Sequence, residues 1–292
     1  MAEPYSTNPI AVRRPTTDVK ITTVRGESIS SRPDVLATEE PMEIRIHGPN
    51  QEPVAITVTM RTPGHDFELA VGLLYNEGII DSYDGLHTVC YCTNVSKQEQ
   101  RYNVVTVELS RPYLGIPKER TFISSSACGV CGTTSIDNLA ARVTPVQSSL
   151  NISIATMLSV PKQLSKGQRL FKQTGGIHGA AIFDSQGRLE LVREDIGRHN
   201  AVDKIVGHYF LKQRLPMSDK ILALSGRIGF ELVQKAAMAK IPIVIAVSAP
   251  SSLAVNTAEA QGITLVGFTR DENANIYTHP ERISLDREVS SS

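Results

Sequence analysis

The sequence predicts an α/β fold, in which a parallel or mixed sheet is covered by helices on both faces and preceded by a β-rich N-terminal elaboration. Three observations lead there. In the C-terminal half, "KILALSG", "IPIVIAVSA" and "ITLVGFTR" are near-continuous apolar runs, the pattern of strands buried on both faces. Helical patterns, "GFELVQKAAMAK" and "SSLAVNTAEAQG", separate them, giving the strand–helix alternation of a layered body. Earlier in the chain, apolar and polar residues alternate with period two, as in half-buried strands.

The elements follow in order. Residues 1–17 are polar and proline-bearing and are expected to form a flexible tail. A β-rich part spans 18–127. It opens with the strand "VKITTV", and "MEIRIHG" and "VAITVTM" form a hairpin about the turn "PNQEP". "HDFELAVGLLYNEG" places Phe67, Leu69, Ala70, Leu73 and Leu74 on one helical face, ended by Gly78. "GLHTVCYC" and "YNVVTVEL" are further strands.

The α/β body is assigned to 128–285, with 286–292 as a second tail. Its first helix is "TTSIDNLAARV", capped by Thr133 or Thr134, and its second is "PKQLSKGQRLFKQTGG", opened by Pro161 and stopped by Gly175. "IHGAAIFDSQGRLELVRED" is a hairpin around "DSQG", and "RHNAVDKIVGHYFLKQ" is a helix. No internal repeat or low-complexity segment is visible.

Composition excludes several classes. The chain has 292 residues, 41% of them hydrophobic, enough for one large or two modest domains with a real core. Lys plus Arg and Asp plus Glu are 30 each, with no basic run, so no nucleic-acid surface is predicted. No window approaches the roughly 18 apolar residues of a membrane span. "MAEPYSTNPIAVRRPTT" lacks a signal-peptide core. With four cysteines and no export signal, a reducing, cytoplasmic setting is expected, which makes a structural disulfide the weakest use of those cysteines.

The stretch "SSSACGVCGTTS" is the sharpest chemical feature. Glycine follows both Cys128 and Cys131, so the backbone turns tightly there, and the small hydroxylic neighbours argue against an apolar core position. A structural zinc site needs two more ligands, and "CYC", Cys90 and Cys92, is the obvious partner. That pair lies in an alternating strand and is more simply core. A zinc deaminase site fails, because His65 has no glutamate two residues on and His178 follows the pair instead of preceding it. A thioredoxin-like pair belongs in an early strand–helix unit, whereas this one follows a β-rich run. A cysteine near a helix N-terminus is stabilised as thiolate, with a pKa lowered to about 3.5–7.5, and can accept sulfur from a persulfide and pass it on. Spacing permits that chemistry and leaves a structural metal as its rival.

Two polar blocks stand out. "TGGIHGAA" brings two glycines and His178 to the start of a strand, and "REDIGRHNAVDK" crowds Glu194, Asp195, Arg198, His199, Asn200 and Asp203 at a helix start. The plain reading of the second is a solvated helix start with Asp195 as cap. The functional reading, taken slightly ahead of it, is that Arg198 and His199 bind an anion or handle protons. "LSGRIGFE" and "VSAPSSLA" each follow an apolar strand and open a helix, where free N–H groups favour phosphate. Ser225, Gly226, Arg227, Ser248, Ser251 and Ser252 are thus candidates for a pyrophosphate, unless Ser248 and Ser251 only cap a helix. No Walker loop and no G-x-G-x-x-G is present, so ATP hydrolysis and dinucleotide redox are unsupported.

Taken together and in this order, "SACGVCG", "TGGIHGAA", "REDIGRHNAVDK", "SGRIGFELVQKA", "VSAPSSLAV" and "GFTR…NIYTHPERI" resemble the formate dehydrogenase accessory sulfurtransferase (FdhD) family, over roughly residues 18–285. The resemblance implies a cytidine-deaminase-like three-layer α/β/α fold without the deaminase zinc, and a cytoplasmic homodimer. It implies sulfur transfer from a cysteine desulfurase to the bis-molybdopterin guanine dinucleotide molybdenum cofactor, before that cofactor enters the formate dehydrogenase apoenzyme. GDP would mimic part of the cofactor. Carried over, Cys128 corresponds to the persulfide carrier and Cys131 to its partner. Phe268, Thr269, Arg270, Asp271, Glu272 and Asn273 correspond to the segment that contacts the guanine nucleotide. The alternatives from other classes are a cofactor chaperone without sulfur transfer and a zinc-stabilised interaction module.

Overall fold

The structure, a computed structural model, describes residues 14–92, 103–115 and 144–284. The expected tails fall largely outside this range. The Cys128–Cys131 motif and the helix expected over "TTSIDNLAARV" lie wholly outside the described residues.

The N-terminal part is β-rich. Strands β1 (Thr16–Arg25) and β2 (Ser28–Ala37) form an antiparallel ribbon. Strands β3 (Glu40–His47), β4 (Val54–Arg61), β5 (Leu86–Tyr91) and β6 (Val104–Leu109) form a four-stranded sheet in the order β4-β3-β6-β5. Alternation decides which face is buried: Met42, Ile44 and Ile46 turn inward with Val105 and Val107. Helix α1 (Asp66–Asn76) covers that face with Leu69, Ala70 and Leu74 and stops before Gly78, whose φ is 66°.

The larger sheet is mixed. In the order β13-β12-β11-β10-β8-β9, the strands β10 (Ile221–Leu224), β11 (Ile243–Ala246) and β12 (Thr264–Arg270) are parallel. The hairpin β8 (His178–Phe183) and β9 (Leu189–Asp195) adds antiparallel strands at one edge, and β13 (Asn273–Thr278) adds one at the other. A small parallel pair, β7 (Ile152–Ser153) and β14 (Ile283–Ser284), lies apart.

The continuous apolar runs are explained by two covered faces. Ile221 and Ala223 meet helix α2 (Ile154–Gly167) through Met157, Val160 and Leu164. Leu222 and Leu224 point the other way, into a cluster with Val202, Ile205, Leu232, Val233 and Ala254. That second layer comprises α4 (Arg198–Leu211), α5 (Phe230–Met238) and α6 (Ser252–Ala260), while the short α3 (Arg169–Thr174) follows α2. Each fully buried Leu, Ile or Val contributes about 1.5–3 kcal/mol, so the double coverage makes this sheet the stable centre.

One expected boundary is corrected. Pro161 lies inside α2 instead of opening it. The helix starts seven residues earlier, where the Ser153 hydroxyl accepts from the Thr156 N–H at 3.1 Å. An interior proline costs about 3 kcal/mol or more. The buried stripe of Met157, Val160 and Leu164 carries the helix through it. Gly175 does end the run, as α3's C-cap with φ 67°.

Candidate functional site

Residues from distant parts of the chain meet at the C-terminal ends of the parallel strands. β10 and β11 end in loops that run side by side: Ile228 N donates to Ala249 O at 3.1 Å and Ser251 N to Ile228 O at 2.9 Å. β12 joins them through Phe268 N, which donates to Ser248 O at 3.3 Å. Because β8 runs antiparallel to β10, its first residue falls beside the end of β10. A Cβ added at Gly226 would sit 3.3 Å from His178 Nδ1. Ser225 closes this corner, its N–H donating to Gly179 O at 3.0 Å and its hydroxyl accepting from Gly179 N at 2.8 Å.

Two helix starts face the same corner. α4 begins after Gly197 and α5 after Gly229, neither with a side-chain cap. The expected cap, Asp195, serves elsewhere: it ends β9 and its Oδ1 accepts from Gly197 N at 2.9 Å and Asn200 Nδ2 at 3.0 Å. Near the start of each helix, His199 Nε2 approaches Glu231 Oε2 to 3.1 Å. Burial, followed by the nearby charges of Lys235, Arg198 and His178, pushes His199 down to about 3, so it is neutral. Burial and Arg198 also lower His178, partly opposed by Asp195.

Of the buried polar side-chain atoms without a hydrogen bond among the described residues, two belong to this edge. Arg198 Nε and Thr269 Oγ1 are buried without a hydrogen bond. Thr269 is 1% exposed and sits in a stretch that is otherwise open. Its neighbours Phe268, Arg270, Asp271, Glu272 and Asn273 are exposed where β12 turns into β13. The ladder is irregular there, and Phe268 and Asp271 have φ of 52° and 53°. A bulky residue in that region carries a cost of about 1–2 kcal/mol, which concentrates at sites where geometry serves binding.

The sequence candidates therefore separate. His178, Ser225, Gly226, Arg198, His199 and the 248–251 loop are gathered at one edge. Ser251 caps α6, accepting from Ala254 N at 3.2 Å, so its oxygen already has a local use. Arg227 is exposed on the first loop.

Most of "REDIGRHNAVDK" fastens the two sheets together. Arg193 grips Glu68 of α1 at 2.5 and 2.7 Å, and Glu194 accepts from Leu170 N and Phe171 N at 2.9 and 2.8 Å. Asp195 pairs with Lys204 at 2.7 Å and accepts from Thr62 N, while Asn200 donates to Met60 O. Asp203 takes both Asn76 Nδ2 and Lys235 Nζ at 2.7 Å. Only Arg198 and His199 are left for the edge.

Sequence reasoning missed Glu231 and Lys235. Helical periodicity marks them as a first-turn acid and an ordinary basic residue, and the proximity of Glu231 to His199 is a purely tertiary fact. Cys90 and Cys92 are partly buried free thiols, and burial pushes the Cys90 thiol up, with Cys92 and Glu108 adding to it. Among the described residues no group of three or more His, Cys, Asp or Glu side chains is arranged to hold a metal, and no helix is long and apolar enough to cross a membrane.

The fold and this edge define a mixed α/β protein whose parallel strands end beside two helix starts without side-chain caps. The sequence profile of the FdhD/NarQ family matches residues 37–284, and the chain belongs to that family. It is 46% identical over 88% of its length to the "Sulfur carrier protein FdhD" of Mycolicibacterium paratuberculosis, covering 94% of that protein. Proteins of the same name from Streptomyces coelicolor and Sulfurisphaera tokodaii are 45% and 42% identical, each over 91% of this chain and 95% and 98% of theirs. Among solved structures, a protein from Desulfotalea psychrophila described as a formate dehydrogenase accessory protein superposes with a TM-score of 0.71. It is 25% identical, over 92% of this chain and 99% of that one.

Proposed function

We propose that this protein is a sulfur carrier in the maturation of formate dehydrogenase. The thiolate of Cys128 attacks the outer sulfur of a cysteine desulfurase persulfide, forming Cys128–S–SH and releasing the donor's cysteine thiolate. The Cys131 thiolate then attacks Cys128 Sγ, closing a Cys128–Cys131 disulfide that a thiol reductant reopens. The carried sulfur is thereby released as sulfide to the bis-molybdopterin guanine dinucleotide molybdenum cofactor, bound as substrate, before the cofactor enters the apoenzyme. Cys131 is the partner thiol.

The observation that carries this reading is the meeting of sequence-distant candidates at one donor-rich edge, in a chain whose relatives bear the name sulfur carrier protein. The cofactor's guanine nucleotide end fits that edge on two counts. Buried Arg198 Nε and Thr269 Oγ1 call for polar partners, and the uncapped starts of α4 and α5 present N–H groups suited to phosphate. Ser225, Gly226, Arg227, Ser248 and Ser251 belong to the same cradle, with the 268–273 turn against the guanine. The two covered faces of the six-stranded sheet support the cytidine-deaminase-like three-layer class. A cytoplasmic homodimer completes the proposal.

Mass spectrometry after incubation with a cysteine desulfurase and cysteine tests it. One added sulfur is expected on the Cys128 peptide, lost in Cys128→Ala. No added sulfur beside a competent donor would instead favour a cofactor chaperone, and a Cys128→Ala protein that still yields active formate dehydrogenase would establish one.

A further inference from the structure

At the edge just described, nearly every group offers a hydrogen or a positive charge. α4 and α5 present their N-termini, Arg198 and His178 crowd the same corner, and the buried Lys235, paired with Asp203, lies close to His199. The nearby carboxylates Asp195 and Asp203 are taken up by Lys204 and Lys235, which leaves Glu231. Its carboxylate stands beside a site built for anions, which on charge alone it would weaken. Its contact with His199, 3.1 Å between Oε2 and Nε2, gives it a different task.

The tautomer follows by elimination. Burial and the surrounding cations keep His199 neutral, so its ring carries one proton. A carboxylate oxygen has only lone pairs to offer, and two lone pairs 3.1 Å apart repel. The proton therefore belongs on Nε2, which leaves Nδ1 with a lone pair. Second-sphere carboxylates fix histidine tautomers in this way at metal sites. A neutral ring in this tautomer can accept a hydrogen bond at Nδ1.

Resting on the function proposed above, we propose that Glu231 is a positioning residue that holds His199 as an acceptor for a ring N–H of the bound cofactor. The donor class is the 2-amino-4-oxopyrimidine edge, which guanine and pterin share. In an otherwise donor-rich site, such an acceptor distinguishes that edge from the phosphates beside it.

The test measures affinity for GDP and, separately, for biopterin in Glu231→Met, Glu231→Gln and His199→Phe, with thermal melting as the check on folding. Nitrogen-15 spectra of His199 report its proton. We expect a neutral ring protonated at Nε2 at pH 7. One of the two ligands should bind Glu231→Met about tenfold more weakly, the loss of one hydrogen bond that leaves a polar group unpaired. Glu231→Gln, whose amide oxygen still accepts from Nε2, should recover most of that affinity. In the His199→Phe background, Glu231→Met should change nothing further. Weakening of GDP would seat guanine against His199, and weakening of biopterin would seat the pterin. Unchanged or tighter binding of both by Glu231→Met, the result for removal of a mere negative charge, overturns the inference, as does a doubly protonated His199. If the native protein binds neither ligand, the cofactor edge of the proposed function is what fails.

Discussion

Gly72 of α1 and Gly207 of α4 lie against each other's backbone. A Cβ on Gly72 would stand 1.9 Å from Asp203 O, and one on Gly207 would stand 1.8 Å from Glu68 O. The two helices thus cross with main chains in contact, and this crossing joins the four-stranded sheet to the six-stranded one. Both obstacles are carbonyl groups, which cannot swing aside as a side-chain tip does. Gly207→Ala is expected to destabilise the protein by about 1–3 kcal/mol or more, the usual cost of overpacking. The midpoint of urea denaturation measures it; an unchanged midpoint would show that the helices separate at little cost.

The same seam contains an ion pair out of contact with water. Asp195 is 0% exposed and Lys204 1%, with Lys204 Nζ 2.7 Å from Asp195 Oδ2 and 2.9 Å from Thr62 O. Removing one partner strands the other. Asp195→Ala should therefore cost about 3–5 kcal/mol, and replacing both partners with apolar residues should cost less than the sum of the two single changes. A double-mutant cycle read by denaturation checks this, and additive effects would rule out the coupling.

Acid should act in two stages. His199 lies well below its ordinary value of 6.5, so the unfolded chain takes up its proton first and stability falls as pH drops from 6.5 toward 3. Burial alone would raise Glu68, but hydrogen bonds from Arg193, His208 and His65 overcome it and hold the carboxyl far below 4.5. Its stabilisation is present above that value and drains away below it. His199→Gln should flatten the stability profile between pH 6.5 and 4.5, and Glu68→Gln should lower stability by a constant amount above about 4.5, the difference shrinking as pH falls below it. Denaturation across pH 3–8 resolves the stages; a His199→Gln profile parallel to the native one would contradict this assignment.

The sheets were readable because burial leaves a period. Ile221 to Leu224 are apolar throughout because both faces are covered, and Met42, Ile44 and Ile46 alternate because one is. Local rules failed where packing overrode them. Pro161 looked like a helix start, but the Ser153 cap and the stripe beneath α2 had already set that start earlier. In "REDIGRHNAVDK", composition alone could not separate Arg198 and His199 from the residues that fasten the seam. Asp195, Asn200 and Lys204 find their partners on β4 and just after it, more than a hundred residues away. Glu231 was invisible for the same reason, since its partner His199 lies on another helix.

Arg198 and Ser251, both assigned to the nucleotide cradle, should behave in opposite ways. Arg198 Nε is buried with no partner among the described residues. An unsatisfied donor costs about 1–3 kcal/mol, so Arg198→Met should leave stability unchanged or raise it. If a phosphate completes that donor set, the same change should weaken GDP binding at least tenfold, a charge-assisted hydrogen bond being roughly twice as strong as a neutral one. Ser251 is the reverse case, because its oxygen already accepts from Ala254 N. Ser251→Ala should cost about 1 kcal/mol of stability through the lost cap and barely change GDP affinity. Calorimetry and melting on the two variants separate these effects. Loss of affinity in Ser251→Ala with none in Arg198→Met would move the phosphate to the start of α6 and away from α4.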